Sequence, residues 1–162
     1  MKKRKQVLGL VGWLLITFVA AAIGSAASVD APALYAQLDK PSWSPPAQVF
    51  GPVWTVLYIL MGVAAWLVWR AGTFRETRMA LGLIIVQLFF NALWSWLFFV
   101  WNLGLGSFLG IIILLGLIMV TMVIFWRKRP LAGALLIPYL LWVGYASILN
   151  FSLWQRNLHI LN

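Results

Sequence analysis

Five long apolar runs, none containing a charged side chain, decide what this sequence can fold into. They cover about residues 7–28, 46–69, 79–101, 104–126 and 131–153. Each is about 22 residues, or about 33 Å of helix, enough to cross the hydrocarbon core of a bilayer. A bilayer interior offers the backbone no water, so a crossing segment must satisfy its own N–H and C=O groups, as an α-helix does. An ordinary soluble domain is excluded. Hydrophobic residues make up 64% of the chain and charged residues 9%, against the roughly 25% charged residues of globular proteins. The expected fold is all-α: an integral membrane bundle of five transmembrane helices in a single domain, residues 1–162.

A net charge of +9 would suit a nucleic-acid partner, but its distribution does not. Basic residues stand in short clusters between the apolar runs: Lys2–Lys5, then Arg70, Arg75 and Arg78, then Arg127–Arg129. A nucleic-acid binder lines one groove or face with them. Clusters that flank apolar spans read as topology signals and contacts to anionic lipid. With the N-terminus cytoplasmic, the inner segments hold ten of the twelve Lys and Arg, and only Lys40 and Arg156 lie outside. The expected orientation is N-in and C-out, in a bacterial cell membrane. Lys2–Lys5 followed by an apolar run and Gly24–Ser28 also resembles a cleavable signal. The run from Val7 to Ile23 exceeds the usual ~7–15 residues of such a segment, so retention as a membrane helix is expected. Ala20 and Gly24 suit close helix packing there.

The sizeable loop, Val29–Ser44, lies between the first two spans. Asp30 can cap a short helix with Pro32 in its first turn, and Leu34, Tyr35 and Leu38 would share one face. This predicts an amphipathic lid on the outer surface, in a loop longer than a plain helix–helix connection needs.

Chemistry-bearing residues are scarce. Cysteine is absent, and the chain has one histidine, His159, and three carboxylates, Asp30, Asp39 and Glu76. No metal site, paired-carboxylate site or Ser–His–Asp arrangement can be drawn from them. No ionisable side chain falls inside a span, which argues against a proton- or sodium-driven mechanism.

Tryptophan is abundant instead, with eleven residues. Trp43, Trp69, Trp101, Trp126 and Trp154 fall near span ends, where an aromatic belt is sufficient reason. Trp54, Trp66, Trp94, Trp96 and Trp142 fall inside spans. Several pointing inward together would wall a pocket for a flat apolar ligand. Polar residues help choose the inward faces: Gln87, Asn91 and Trp94 on the third span, Tyr139, Trp142, Ala146 and Asn150 on the fifth, Trp54 and Tyr58 on the second. An amide in hydrocarbon needs a hydrogen bond, so these faces should turn inward; Asn91 and Asn150 can also serve by bonding across helices. Pro52 and Pro138 free the carbonyls of Gln48 and Ala134 and predict kinks. Gly106 and Gly110 form a GxxxG that could support a homodimer.

The stretch Lys40-Pro41-Ser42-Trp43-Ser44-Pro45-Pro46, with Phe50-Gly51-Pro52-Val53-Trp54 and Leu57-Tyr58, resembles the opening signature of the tryptophan-rich sensory protein (translocator protein, TspO/MBR) family. Gln87, Asn91, Trp94-Ser95 and Phe98-Phe99 resemble its third-helix pattern. Pro138-Tyr139-Leu140, Trp142, Ala146 and Leu149-Asn150 resemble its fifth. The resemblance covers about residues 7–157, and charge with short loops suggests a bacterial member. Tyr145 stands where the family often has phenylalanine. No sterol motif of the animal type is present at the C-terminus.

The resemblance implies a five-helix bundle, often dimeric, with a pocket beneath the first long loop. The implied ligands are porphyrins such as protoporphyrin IX, haem-like tetrapyrroles and sterol-like molecules, with no required cofactor. Carried over residue by residue, the ligand-binding set is Tyr35, Trp43, Pro45, Trp54, Asn91, Trp94, Trp142 and Ala146. Three functions follow as expectations. The first is a receptor for porphyrins, with flat rings stacked on Trp54 and Trp142, an Asn91 hydrogen bond, and Lys40 near the propionates. The second is light- and oxygen-dependent porphyrin degradation, with Trp54 and Trp142 as oxidisable neighbours. The third is passive transport of tetrapyrroles. Outer-membrane residence also occurs in the family.

Overall fold

The computed structural model describes all 162 residues, and every regular element is helical. The elements are α1 (Lys3–Ala27), α2 (Ala31–Gln37), a 3-10 turn (Ala47–Val49), α3 (Phe50–Trp69), α4 (Phe74–Ser95), α5 (Gly104–Lys128), α6 (Pro130–Leu135) and α7 (Ile137–Arg156). Five segments are long and apolar enough to cross a membrane: Lys3–Ala27, Ala47–Trp69, Phe74–Val100, Gly104–Lys128 and Pro130–Arg156. Four of them outrun the apolar runs. The helix goes on where hydrocarbon gives way to headgroups, because long basic side chains can snorkel there. Thr73 and Glu76 close a capping box at the start of α4, with the Thr73 amide donating to the Glu76 carboxylate at 2.7 Å. Arg127 and Lys128 occupy the last turn of α5, where cations meet the negative end of the helix.

The spans close into a ring. α1 lies between α3 and α4, α4 packs on α5, α5 packs on α6 and α7, and α6 returns to α3. The starts of α1, α4 and α6 and the ends of α3 and α5 share one end of the bundle, here the basic end. The opposite end carries α2 and is the lid end. Toward the basic end the interior is solid. Met61, Ala64, Ala65, Val68, Ile84, Ile118, Phe125, Ala132 and Leu136 are wholly enclosed. Small side chains allow this. At Gly62 the backbone of α1 comes so near α3 that an added Cβ would lie 3.3 Å from Leu14 Cα, as well as 2.7 Å from Leu14 Cδ2. Between helices in lipid such close packing supplies the attraction that water cannot.

The two prolines part ways. Pro138 does interrupt its span, separating α6 from α7 at Leu136. Pro52 sits in the first turn of α3 and bends nothing, since an N–H there has no helical partner to lose. The break at Leu136 leaves α6 against α3 while α7 stands off from it. A π-helical turn, Trp96–Val100, ends α4, and Asn102 follows with a left-handed φ of 51°, a conformation that asparagine tolerates better than most residues.

Candidate ligand cavity

The divergence of α3 and α7 opens a cavity of about 630 Å³ at the lid end, inside the ~300–1,000 Å³ usual for small-molecule sites. Indoles and phenyl rings form its walls. Trp54 comes from α3, Trp94 from α4, Trp142 from α7, and Phe50, Phe98 and Phe99 from the helix ends. Most of the rings meet edge-on: Phe50 and Trp142 at 5.8 Å, Trp54 and Tyr139 at 6.1 Å, Trp94 and Phe99 at 5.8 Å, while Trp94 and Phe98 stack at 5.7 Å. Rigid rings set edge to face cannot mould themselves to fill a gap, so the space between them stays open. No lining residue is charged.

A polar ladder braces one wall. Asn91 donates to the Tyr139 hydroxyl at 2.9 Å, joining α4 to α7. Trp94 Nε1 donates to Asn150 Oδ1 at 2.8 Å, and Asn150 donates to Ser107 on α5 at 3.3 Å. Both asparagines thus line the cavity and bond across helices at once. The indole N–H of Trp142 is buried without an acceptor.

The lid is fastened to α7 at two places. The side-chain amide of Asn157 clasps the backbone of Asp39 from both sides, accepting from its N–H at 2.8 Å and donating to its carbonyl at 2.9 Å. Farther along, the Tyr145 hydroxyl donates to the Trp43 carbonyl at 2.7 Å. Tyr35 closes the loop on itself by donating to the Pro45 carbonyl at 2.6 Å. Burial raises the Tyr35 phenol above its ordinary value near 10, a nearby Ser44 hydrogen bond opposing this in part. Tyr35 on α2 and Leu38 just after it are buried, with Leu34 half-buried beside them, packed on Phe98, Leu149, Leu153 and Leu161.

Six of the eight sequence-predicted residues come together on the cavity wall: Tyr35, Trp54, Asn91, Trp94, Trp142 and Ala146. Trp43 and Pro45 do not line it; they hold the lid through their carbonyls. Three expectations need correction. Asp30 precedes α2 but makes no side-chain cap. Lys40 does not face the cavity; its ammonium caps α2 by donating to the carbonyls of Tyr35 at 2.7 Å and Leu38 at 3.2 Å. The Gly106–Gly110 pair meets the chain's own Leu97 rather than an outward face. The inner wall also has a contributor the sequence did not single out. Phe18, Ala22, Gly24 and Ser25 of α1 line it. α1 is apolar nearly all round, so no polar face marked its inward side; the cluster of small residues at Gly24–Ser28 was the available signal.

A family model, the TspO/MBR family, matches residues 13–155. The chain belongs to that family. Relatives span from three quarters to nearly all of it. It is 39% identical to the tryptophan-rich protein TspO of Chlorobaculum tepidum, over 94% of this chain and 98% of that one. Identity is also 39% with protein CrtK of Rhodobacter capsulatus, over 88% and 91%. With the human translocator protein it is 39%, over 76% and 74%. Five apolar helices and family membership together make this a membrane protein.

Proposed function

We propose that this protein is a membrane receptor for porphyrins and related flat apolar ligands, acting in tetrapyrrole sensing, transport or removal. The observation that carries the reading is the uncharged, ring-walled cavity of about 630 Å³ beneath a fastened lid. A planar macrocycle would lie between Trp54 on α3 and Trp142 on α7, with Asn91 as the hydrogen-bonding group. Tyr35, Trp94 and Ala146 would shape the slot, and Trp43 and Pro45 would act by holding the lid. Carboxylates of the ligand have no cation to meet inside. They would point to the Ser25 hydroxyl on the lining, since the Ser28 and Thr55 hydroxyls already donate to the carbonyls of Gly24 and Gly51. The test is a titration with protoporphyrin IX, followed by tryptophan quenching and the porphyrin absorption band. Trp54→Ala and Trp142→Ala are each expected to weaken binding at least about tenfold, on the scale of a lost aromatic contact. Unchanged affinity in both would overturn the reading.

A second reading has its own support: Trp54 and Trp142 share the cavity, so an excited porphyrin would have two oxidisable indoles beside it. Light- and oxygen-dependent breakdown is then expected to slow in Trp54→Phe and Trp142→Phe proteins. Equal bleaching would mark it as bystander photochemistry. The charge bias supports a bacterial cell membrane with the basic end, and so the N-terminus, in the cytoplasm. A homodimer would have to use a face other than Gly106–Gly110.

A further inference from the structure

The basic end holds a second concavity, which shares no residue with the cavity under the lid. α1 and α4 leave that end side by side, and a groove of about 530 Å³ runs between them. The Trp69 ring lies directly on Gly9, leaving no room for a Cβ there. Gly12 and Gly82 differ: a Cβ at either would meet nothing within 4 Å. Their missing side chains are what keep the groove open. Along α4 the lining runs from Phe74 to Ile85. That is about 16 Å of helix, close to half of a ~30 Å hydrocarbon core and so to the depth of one leaflet.

Arg78 lines the groove near its basic end. It is exposed and makes no ion pair, since the one ion pair in the protein, Arg156–Asp39, lies at the lid end. The sole carboxylate at the basic end, Glu76, is engaged by Thr73. An apolar slot one leaflet deep, ending at an unpaired guanidinium, has the shape and charge of a lipid.

We propose that this groove binds one anionic phospholipid of the leaflet at the basic end. An acyl chain lies between Gly12 and Gly82, and the phosphate meets Arg78. Charge selects this occupant. A second copy docked side by side would bring its own Arg78 toward this one, with no free carboxylate to receive either. A zwitterionic lipid would set its own cation among the basic side chains of this end. The inference stands apart from the porphyrin reading, because no porphyrin enters its test.

The experiment is native mass spectrometry of the full chain in detergent, with phosphatidylglycerol and phosphatidylcholine of identical acyl chains present in equal amounts. The wild-type protein is expected to retain phosphatidylglycerol preferentially. Arg78→Gln should lower the ratio of the two lipids about fivefold, the effect of one basic side chain at a membrane surface. Gly82→Leu places its side chain in empty space and should cut retention of both lipids with melting unchanged. Excess glycerol 3-phosphate should not compete. An unchanged lipid ratio in Arg78→Gln overturns the proposal, as does full retention in Gly82→Leu. Displacement by glycerol 3-phosphate alone overturns it in favour of a plain anion site. A changed oligomeric mass in Gly82→Leu at constant lipid retention overturns it in favour of a second copy. The unaltered protein gives an arm free of folding effects. Phosphatidylglycerol with a photoactivatable chain should label residues 9–16 and 74–85, and labelling confined to other faces overturns the site.

Discussion

The same helices build two different interiors at their two ends. At the basic end, Ala64, Ala65, Gly62 and Ala132 let α1 and α6 each close on α3, and Met61, Val68, Ile84 and Phe125 fill what remains. At the lid end, Trp54, Trp94, Trp142 and Phe50 stand where small residues stood below, and the helices cannot close. Small and flexible side chains give density, whereas large rigid ones give a walled space. Fastening differs in the same sense. The basic end is held mainly by packing, with one directional bond between helices, from Trp66 Nε1 on α3 to the Gln6 carbonyl on α1 at 2.9 Å. The lid end is held by directional bonds: Asn157 to Asp39, Tyr145 to Trp43, Trp94 to Asn150.

That contrast can be broken most forcefully by one substitution made at both ends. Gly62→Leu must wedge α1 from α3, because a Cβ alone already meets Leu14 and Thr17. A loss of about 3 kcal/mol is expected, read as a clear drop in the detergent melting temperature. Gly51→Leu lies on the cavity lining, with nothing within 4 Å of its Cβ. Its melting should hold within about 0.5 kcal/mol while porphyrin affinity falls. Equal melting losses would erase the distinction between a dense and an open end.

The fastening of the lid gives the next effect. Asn157→Ala removes both bonds to the Asp39 backbone, leaving a half-buried N–H and C=O unmet, a local cost of about 1–3 kcal/mol. Hydrogen exchange should quicken across residues 35–45 and stay slow in α3 and α5. Uniform quickening would show that the two ends unfold as one unit.

A pH effect sharpens the same point. The Tyr35 phenol is raised above 10 by burial. The stability it lends is fully present below about pH 10 and is lost as pH rises toward the folded value, because only the opened lid then ionises readily. Exchange in the lid should therefore quicken above pH 10 in the wild type. Tyr35→Phe should flatten that profile, and a profile unchanged by the substitution would remove Tyr35 from the account. The smallest effect belongs to Arg156→Ala. The Arg156–Asp39 contact is 3.4 Å long, between side chains 46% and 66% exposed. A change within about 0.5 kcal/mol, screened further by salt, is expected in lid exchange.

Much of this contrast could be read from the chain alone. Trp54 with Tyr58, Asn91 with Trp94, and Trp142 with Ala146 sit at helical spacings that place each set on one face, and those faces do meet in the cavity. Helix spacing is a local property, and burying an amide in lipid leaves it few alternatives to facing inward. Other features escaped because nothing local encodes them. The side of α1 that faces the cavity is as apolar as the side that faces lipid. Lys40 had an unwritten competitor for its ammonium, the carbonyls at the end of α2. Gly106 and Gly110 met a partner, Leu97, supplied by their own chain.

The sequence by itself determined that there are five crossings, where they begin and end to within a few residues, and that ten of twelve cations lie in the segments at one end. Those follow from the cost of bare backbone and bare charge in hydrocarbon, a cost each segment meets alone. Only the tertiary structure decided which crossings touch and where they part. It settled that α6 closes on α3 while α7 does not, that Asn157 reaches the lid, and that Gly12 and Gly82 leave a slot between α1 and α4. Lipid draws apolar helices together no more on one face than another, so small differences in side-chain shape chose among the arrangements.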